Sequence, residues 1–243
     1  MINDKIIFII IISFILFTGS LSATQAQVYP NSFNSLRDAV YMQNRSLLET
    51  MRLYTAAKQD IENLFTGADK YLALARCEYF MGITYKASDK NNEAAAFFEQ
   101  GIALSEEALA IRITSEGYLL LGSGISFICE IRTSYGLRNH GKIEENARKA
   151  LELDPNNLMA QHLIATFYIF APWPVGNIKK GESLLREILN QNYLSLNRDD
   201  LFNLYLMLQA ACLKQRKNQE AQMWRERGAA LYPTNDFISL MVK

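Results

Sequence analysis

Apolar residues along this chain recur mainly at three- and four-residue intervals, a spacing that predicts helices nearly throughout. In residues 141–157, "GKIEENARKALELDPNN", Ile143, Ala147, Ala150 and Leu151 fall on one helical face. Asp154-Pro155 ends that helix, because proline lacks the amide hydrogen and its ring clashes with the preceding turn. The Asn157 side chain can then cap a new helix over residues 158–170. Further on, Tyr205, Leu208 and Cys212 line one helix, Ala221, Trp224 and Gly228 line the next, and Tyr232-Pro233 closes it. Near the start of the chain, residues 32–66 read as one long helix or a broken pair.

The clearest pairing lies in residues 77–104, where Met81-Gly82 and Tyr85 are followed by Ala94, Phe98 and Gly101. Small residues at Gly82 and Ala94 let two antiparallel helices approach, and Tyr85 and Phe98 fill the space beside them. The polar stretch between, with Asp89, Asn91 and Asn92, suits a tight turn. "GYLLLGSGISF" (117–127) looks superficially like a strand entering a phosphate-binding loop. A dinucleotide fingerprint would need glycine where Phe127 stands. Gly122, Ser123, Gly124 and Ser126 therefore read as a close-packing helix face. In "RNHGK", Gly141 reads as a left-handed helix stop, with His140 a solvated residue at the helix end.

The order of small, aromatic and proline positions resembles the tetratricopeptide repeat. Gly82, Tyr85, Ala94 and Phe98 match its pattern at the right separations. Ala150 and Pro155 match its closing half, Ala165 and Tyr168 its opening half, and Ala221 with Pro233 match more loosely. No repeat keeps the opening tryptophan, and Glu106 stands where the first unit's proline belongs. Residues 115–140 look too long for a standard hairpin. The resemblance implies an all-α fold, a short superhelical stack of antiparallel helix hairpins (an α-solenoid) whose surface binds another protein. The array is expected over residues 70–243, with 27–69 a helical segment packing on it. "FEQGIALSEEAL", "SEGY", "ALELDPNN" and a Pro-containing insert ending in Gly-Asn also resemble a narrower group. These are the accessory subunits of tripartite ATP-independent periplasmic transporters. That likeness implies association with a membrane transporter and a small apolar or amphipathic ligand between helices.

The N-terminus adds a destination. Lys5 precedes an apolar run, residues 6–17, and small and polar residues follow to Ala26. This is the layout of a signal peptide over residues 1–26, with cleavage after Ala26 or, as second choice, Ala23. The run is shorter than the ~20 residues of a spanning helix. An exported, periplasmic chain is expected; the alternative is an uncleaved anchor.

Composition and chemistry narrow the function. Lys+Arg and Asp+Glu both count 25, so no basic excess points to nucleic acid. Cys77, Cys129 and Cys212 are odd in number and far apart. They read as buried small hydrophobes, or as one bridge plus a free thiol. His140 and His162 have no second ligand at metal spacing, so neither metal nor cofactor is expected. Glu106-Glu107, Glu144-Glu145 and Asp199-Asp200 are sequence neighbours, which do not share a helix face. With no nucleophile elbow either, the chain is not expected to be an enzyme.

One stretch breaks the helical pattern. In "APWPVGN" (171–177), Pro172 stops a helix, Pro174 stiffens the exit, and Gly176 allows a bend before Asn177 caps residues 178–189. The segment reads as an enlarged hairpin turn. Either Trp173 folds back over the end of the stack, or Pro172, Trp173 and Pro174 form a rigid partner-contact loop.

Overall fold

The computed structural model describes residues 28–172 and 174–236. The expected signal peptide, residues 1–26, lies outside the described residues, as does Trp173. Ten helices follow one another along the described chain: α1 (Asn31–Met42), α2 (Leu47–Leu64), α3 (Gly67–Ala87), α4 (Asn91–Ile111) and α5 (Ser115–Ile131), then α6 (Thr133–Leu153), α7 (Leu158–Phe170), α8 (Ile178–Asn192), α9 (Arg198–Lys214) and α10 (Asn218–Leu231). No strand occurs among the described residues. Each helix packs on the next, and consecutive pairs form five antiparallel hairpins. The fold is an all-α stack of helix hairpins.

Local chemistry sets the helix ends. Ser46 and Glu49 form a reciprocal capping box at the start of α2. Thr114, Asn157, Asn177 and Asn197 accept from the first-turn amides of α5, α7, α8 and α9. Gly67 turns the chain between α2 and α3 at φ 57°, a region that disfavours a β-carbon.

The hairpins interlock through glycine and aromatic residues, as the repeat pattern implies. A β-carbon on Gly82 would lie 2.3 Å from the Phe98 ring, and one on Gly101 would lie 2.1 Å from Tyr79. The face read from residues 117–127 behaves alike: a β-carbon on Gly124 would lie 2.4 Å from the Tyr79 hydroxyl. Ala94, Ala150, Ala165 and Ala221 are buried at their helix contacts. Tyr85 stacks on Phe97 at 5.1 Å. Pro155 and Pro233 sit exposed just beyond the ends of α6 and α10.

The odd-numbered helices run parallel as an inner row. Phe33 of α1 meets Phe80 of α3 (5.4 Å between ring centroids), and Tyr79 of α3 donates to the Leu120 carbonyl of α5 (2.9 Å). Asn157, ahead of α7, donates to the Ser115 hydroxyl of α5 (2.8 Å). Lys214 of α9 lies 5.0 Å from the Phe170 ring of α7. The row then closes on itself. Arg37 of α1 lies 3.4 Å from Asp199 of α9, and Asn203 donates to the Tyr41 hydroxyl (3.0 Å). Tyr41 also stacks on Tyr232 (5.1 Å) and meets Phe202 edge-on (6.0 Å). Past α10, Asn235 donates to the Tyr41 carbonyl (2.6 Å), the Asp236 amide to the Gln43 side chain (2.8 Å), and the Thr234 hydroxyl to the Met42 carbonyl. Five parallel helices therefore form a ring, and the even-numbered helices lie outside it.

One local alternative is decided, and several local expectations change. Residues 32–66 are a broken pair, split between α1 and α2, and they supply the hairpin that joins the two ends of the ring. The 69/70 boundary falls inside α3. Gly141 is no helix stop: α6 runs through His140-Gly141 to Leu153. A β-carbon there would meet open space. The glycine thus costs the helix only about 1 kcal/mol against alanine, an amount that packing on α5 outweighs. His140 Nδ1 instead lies 3.2 Å from the Gly136 carbonyl, one turn back. Residues 115–140 prove to be α5 and the first turns of α6, joined through Arg132.

Candidate functional site

The turn over residues 171–177 is built from the backbone outward. The Ala171 amide closes α7 by donating to the Phe167 carbonyl (2.8 Å). The Pro172 carbonyl accepts from the amides of Val175 and Gly176, both at 3.0 Å, and the Asn177 amide donates back to the Tyr168 carbonyl (2.8 Å). Asn177 Oδ1 accepts from the Lys180 amide (3.0 Å), starting α8 as the sequence predicted. Gly176 is needed for close approach: a β-carbon would lie 2.0 Å from the Ala171 carbonyl oxygen. Its φ is not among the positive ones, so the bend itself does not demand glycine. Pro172, Pro174 and Val175 are exposed on this fixed turn.

A charged cluster adjoins the base of the turn. The Tyr168 hydroxyl donates to Glu144 (2.8 Å), Arg148 donates to the same carboxylate (2.5 Å), and the Lys180 ammonium lies 3.9 Å from the Tyr168 ring centroid. Partial burial opposes ionisation of Glu144, but the hydrogen bonds from Arg148 and Tyr168 outweigh it and lower its pKa. Tyr168 thus has two roles, as a repeat position and as the link between this cluster and the turn. The other repeat residues are spread around the ring and form no single site.

Burial acts on His162 and on the Lys86–Glu130 pair. Burial pushes His162 down to about 4, so its imidazole is neutral at pH 7. Lys86, near the end of α3, pairs with Glu130 of α5. Burial lowers the Lys86 pKa, and the Glu130 charge works against that shift.

Glu182, Cys212 and Glu220 bring three ligand-type atoms within 4.8 Å of one another. Glu182 is already occupied by Arg186 (2.7 Å), Lys217 (2.7 Å) and Gln215 (2.5 Å). Burial opposes its ionisation, but these donors lower its pKa. Burial raises the Cys212 thiol to about 11, so it stays protonated. The arrangement fits an ion-pair network joining α8 to α10. Cys77, Cys129 and Cys212 are all free thiols. No helix of the described residues is long and apolar enough to cross a membrane.

Sequence reasoning missed both the Glu182 network and the ring-closing set of Arg37, Tyr41, Asp199 and Asn203. The only advance signal was that Asp199-Asp200 follows Asn197 at a helix start.

No protein-family model matches the sequence, and no curated protein matches it. Among solved structures, the chain is similar to a Podosopora anserina putative kinesin light chain with nearly identical TPR-like repeats, and to a single-substitution variant of it. Both pairings are 16% identical over 83% of this chain. They cover 93% and 92% of the solved chains, with TM-scores of 0.41 and 0.42.

Proposed function

We propose that this chain is an exported, non-catalytic scaffold that binds another protein through its preorganised helical surface. The observation that carries the reading is the 171–177 turn. Pro172, Pro174, Val175 and Asn177 are exposed, the amides of Ala171, Val175, Gly176 and Asn177 are hydrogen-bonded within the hairpin, and the two prolines restrict φ. Such a surface costs little to order on binding. Helices α7 and α9 are buried on nearly every face, which leaves the outer helices and the ring's edges for contact. The proposed location is the periplasm, after loss of residues 1–26.

Crosslinking and pull-down from the exporting cell test this, with N-terminal sequencing of the recovered chain. The intact chain should capture a partner that Val175→Asp loses while keeping its thermal stability. Equal capture by both chains would refute the turn as the contact. A recovered N-terminus at Met1 would refute cleavage. The alternative, a solute-uptake accessory subunit with a small apolar or amphipathic ligand between helices, rests on the sequence likeness alone.

A further inference from the structure

Neighbouring inner helices are joined in two ways. α1 reaches α3 through α2, α3 reaches α5 through α4, and α5–α7 and α7–α9 are bridged alike by α6 and α8. Short turns at both ends of each outer helix limit how far such neighbours can part. The α9–α1 seam joins opposite ends of the described chain, with no outer helix leading from one partner to the other among the described residues. It can part without stretching any turn.

The packing differs in the same sense. The backbones of each bridged pair approach within 8 Å at several positions, but neither α9 nor α10 approaches α1 or α2 in that manner. Long side chains span the closing seam instead. Arg37 reaches Asp199 (3.4 Å), Asn203 reaches the Tyr41 hydroxyl (3.0 Å), and Asn235 reaches the Tyr41 carbonyl (2.6 Å). The Arg37 side chain keeps 27% of its exposure, so water already reaches one side of the ion pair. Apolar contact across the seam comes from the rings of Tyr41, Phe202 and Tyr232. Between α5 and α7, by contrast, Leu163 lies 3.0 Å from where a β-carbon on Gly122 would stand. A polar seam of long side chains parts at smaller cost than a close-packed one, because water replaces its hydrogen bonds.

We propose that the α9–α1 seam is a latch: it releases as a unit, and the closed ring becomes an open array with every hairpin intact. Helix α1 stays on α3, held by Phe33 against Phe80. Residues 232–236 leave with α10. The bending is shared among the four bridged seams, each turning by a small angle, as in other helical stacks. Release uncovers the Tyr41 and Phe202 rings and opens the inner row from the side. The inference goes beyond the scaffold reading and does not depend on it.

The test measures distances between paired spin labels on the full chain. One pair flanks the closing seam, through Ala56→Cys on α2 and Ala230→Cys on α10. A control pair, Ala56→Cys with Ala103→Cys on α4, flanks a bridged seam. All three positions are exposed. Burial pushes the native thiols up, Cys129 to about 12 and Cys212 to about 11, so the introduced cysteines label first. A chain carrying Arg37→Gln and Tyr41→Phe should show a second 56–230 distance, longer by about one helix diameter, ~10 Å. Each substitution should raise the ratio of long to short distance by about tenfold. The 56–103 distance should stay single in every chain. Four results would overturn the latch: a single short 56–230 distance in the doubly substituted chain with native circular dichroism, both pairs lengthening together, helix loss before the long distance appears, or a long distance that grows with protein concentration, which would mean hairpin exchange between two copies. None of these bears on partner capture through the 171–177 turn.

Discussion

Two seams of the same ring are built on different principles. Between α3 and α5, as between α3 and α4, contact depends on missing side chains: Gly82, Gly101 and Gly124 give Phe98 and Tyr79 room to sit against backbone. Between α9 and α1, contact depends on large polar and aromatic groups, with Tyr41 held by Tyr232, Phe202 and Asn203, and Arg37 beside Asp199. The first kind recurs along the chain and brings near neighbours together. The second occurs where the two ends must recognise each other. Repetition suits a small, generic contact, whereas closure needs a specific one.

Removing the centre of the closing seam should give the largest effect. Tyr41→Ala is expected to cost about 4 kcal/mol in denaturant unfolding. It should also raise hydrogen exchange in α1 before that in α3. Uniform exchange would show that the two seams are not separate units. Overfilling the small-residue seam comes next. Gly101→Val should cost about 3 kcal/mol, because its side chain would displace the Tyr79 ring; an unchanged midpoint would mean that α4 can slide.

Acid tests a third seam, between α7 and α9, where burial holds His162 neutral. Its folded pKa of about 4 lies below the unfolded value of 6.5. The unfolded chain therefore binds more protons in that window. Stability is full above about pH 6.5 and falls as the pH drops towards about 4, by an amount on the order of 3 kcal/mol. In a pH series of urea melts, His162→Leu should flatten that part of the curve. Arg37→Gln removes the cation 3.4 Å from buried Asp199, and a loss of about 1.5 kcal/mol is expected in the same melts. The smallest change is Asn177→Ala, which removes the α8 cap and should cost about 1 kcal/mol without disturbing the closing seam.

The sequence carried the repeated seam plainly. Gly82, Tyr85, Ala94 and Phe98 lie within 17 residues of one another, so their spacing is a local signal. Asn157 and Asn177 as caps were equally local. Closure was not legible, because Tyr41 and Asn203 are 162 residues apart and no period links them. Helix α6 misled for another reason: His140-Gly141 has the chemistry of a helix end, and only the packing of α6 along α5 carries the helix through. The inner helices were hard to read by face, since α7 and α9 bury residues all round and lose the polar stripe that periodicity needs. At the 171–177 turn, the cap and the helix break were legible, whereas the contact of Gly176 with Ala171 was not.

The residues past α10 also set an order in time. Tyr232, Thr234, Asn235 and Asp236 hold the end of α1, so the first described helix is secured by residues made as much as 194 positions later. Hairpins between them can form as the chain emerges, because their contacts are local. The ring can close only once α10 and the residues just after it have been made, and that distant contact should be the slow step of folding.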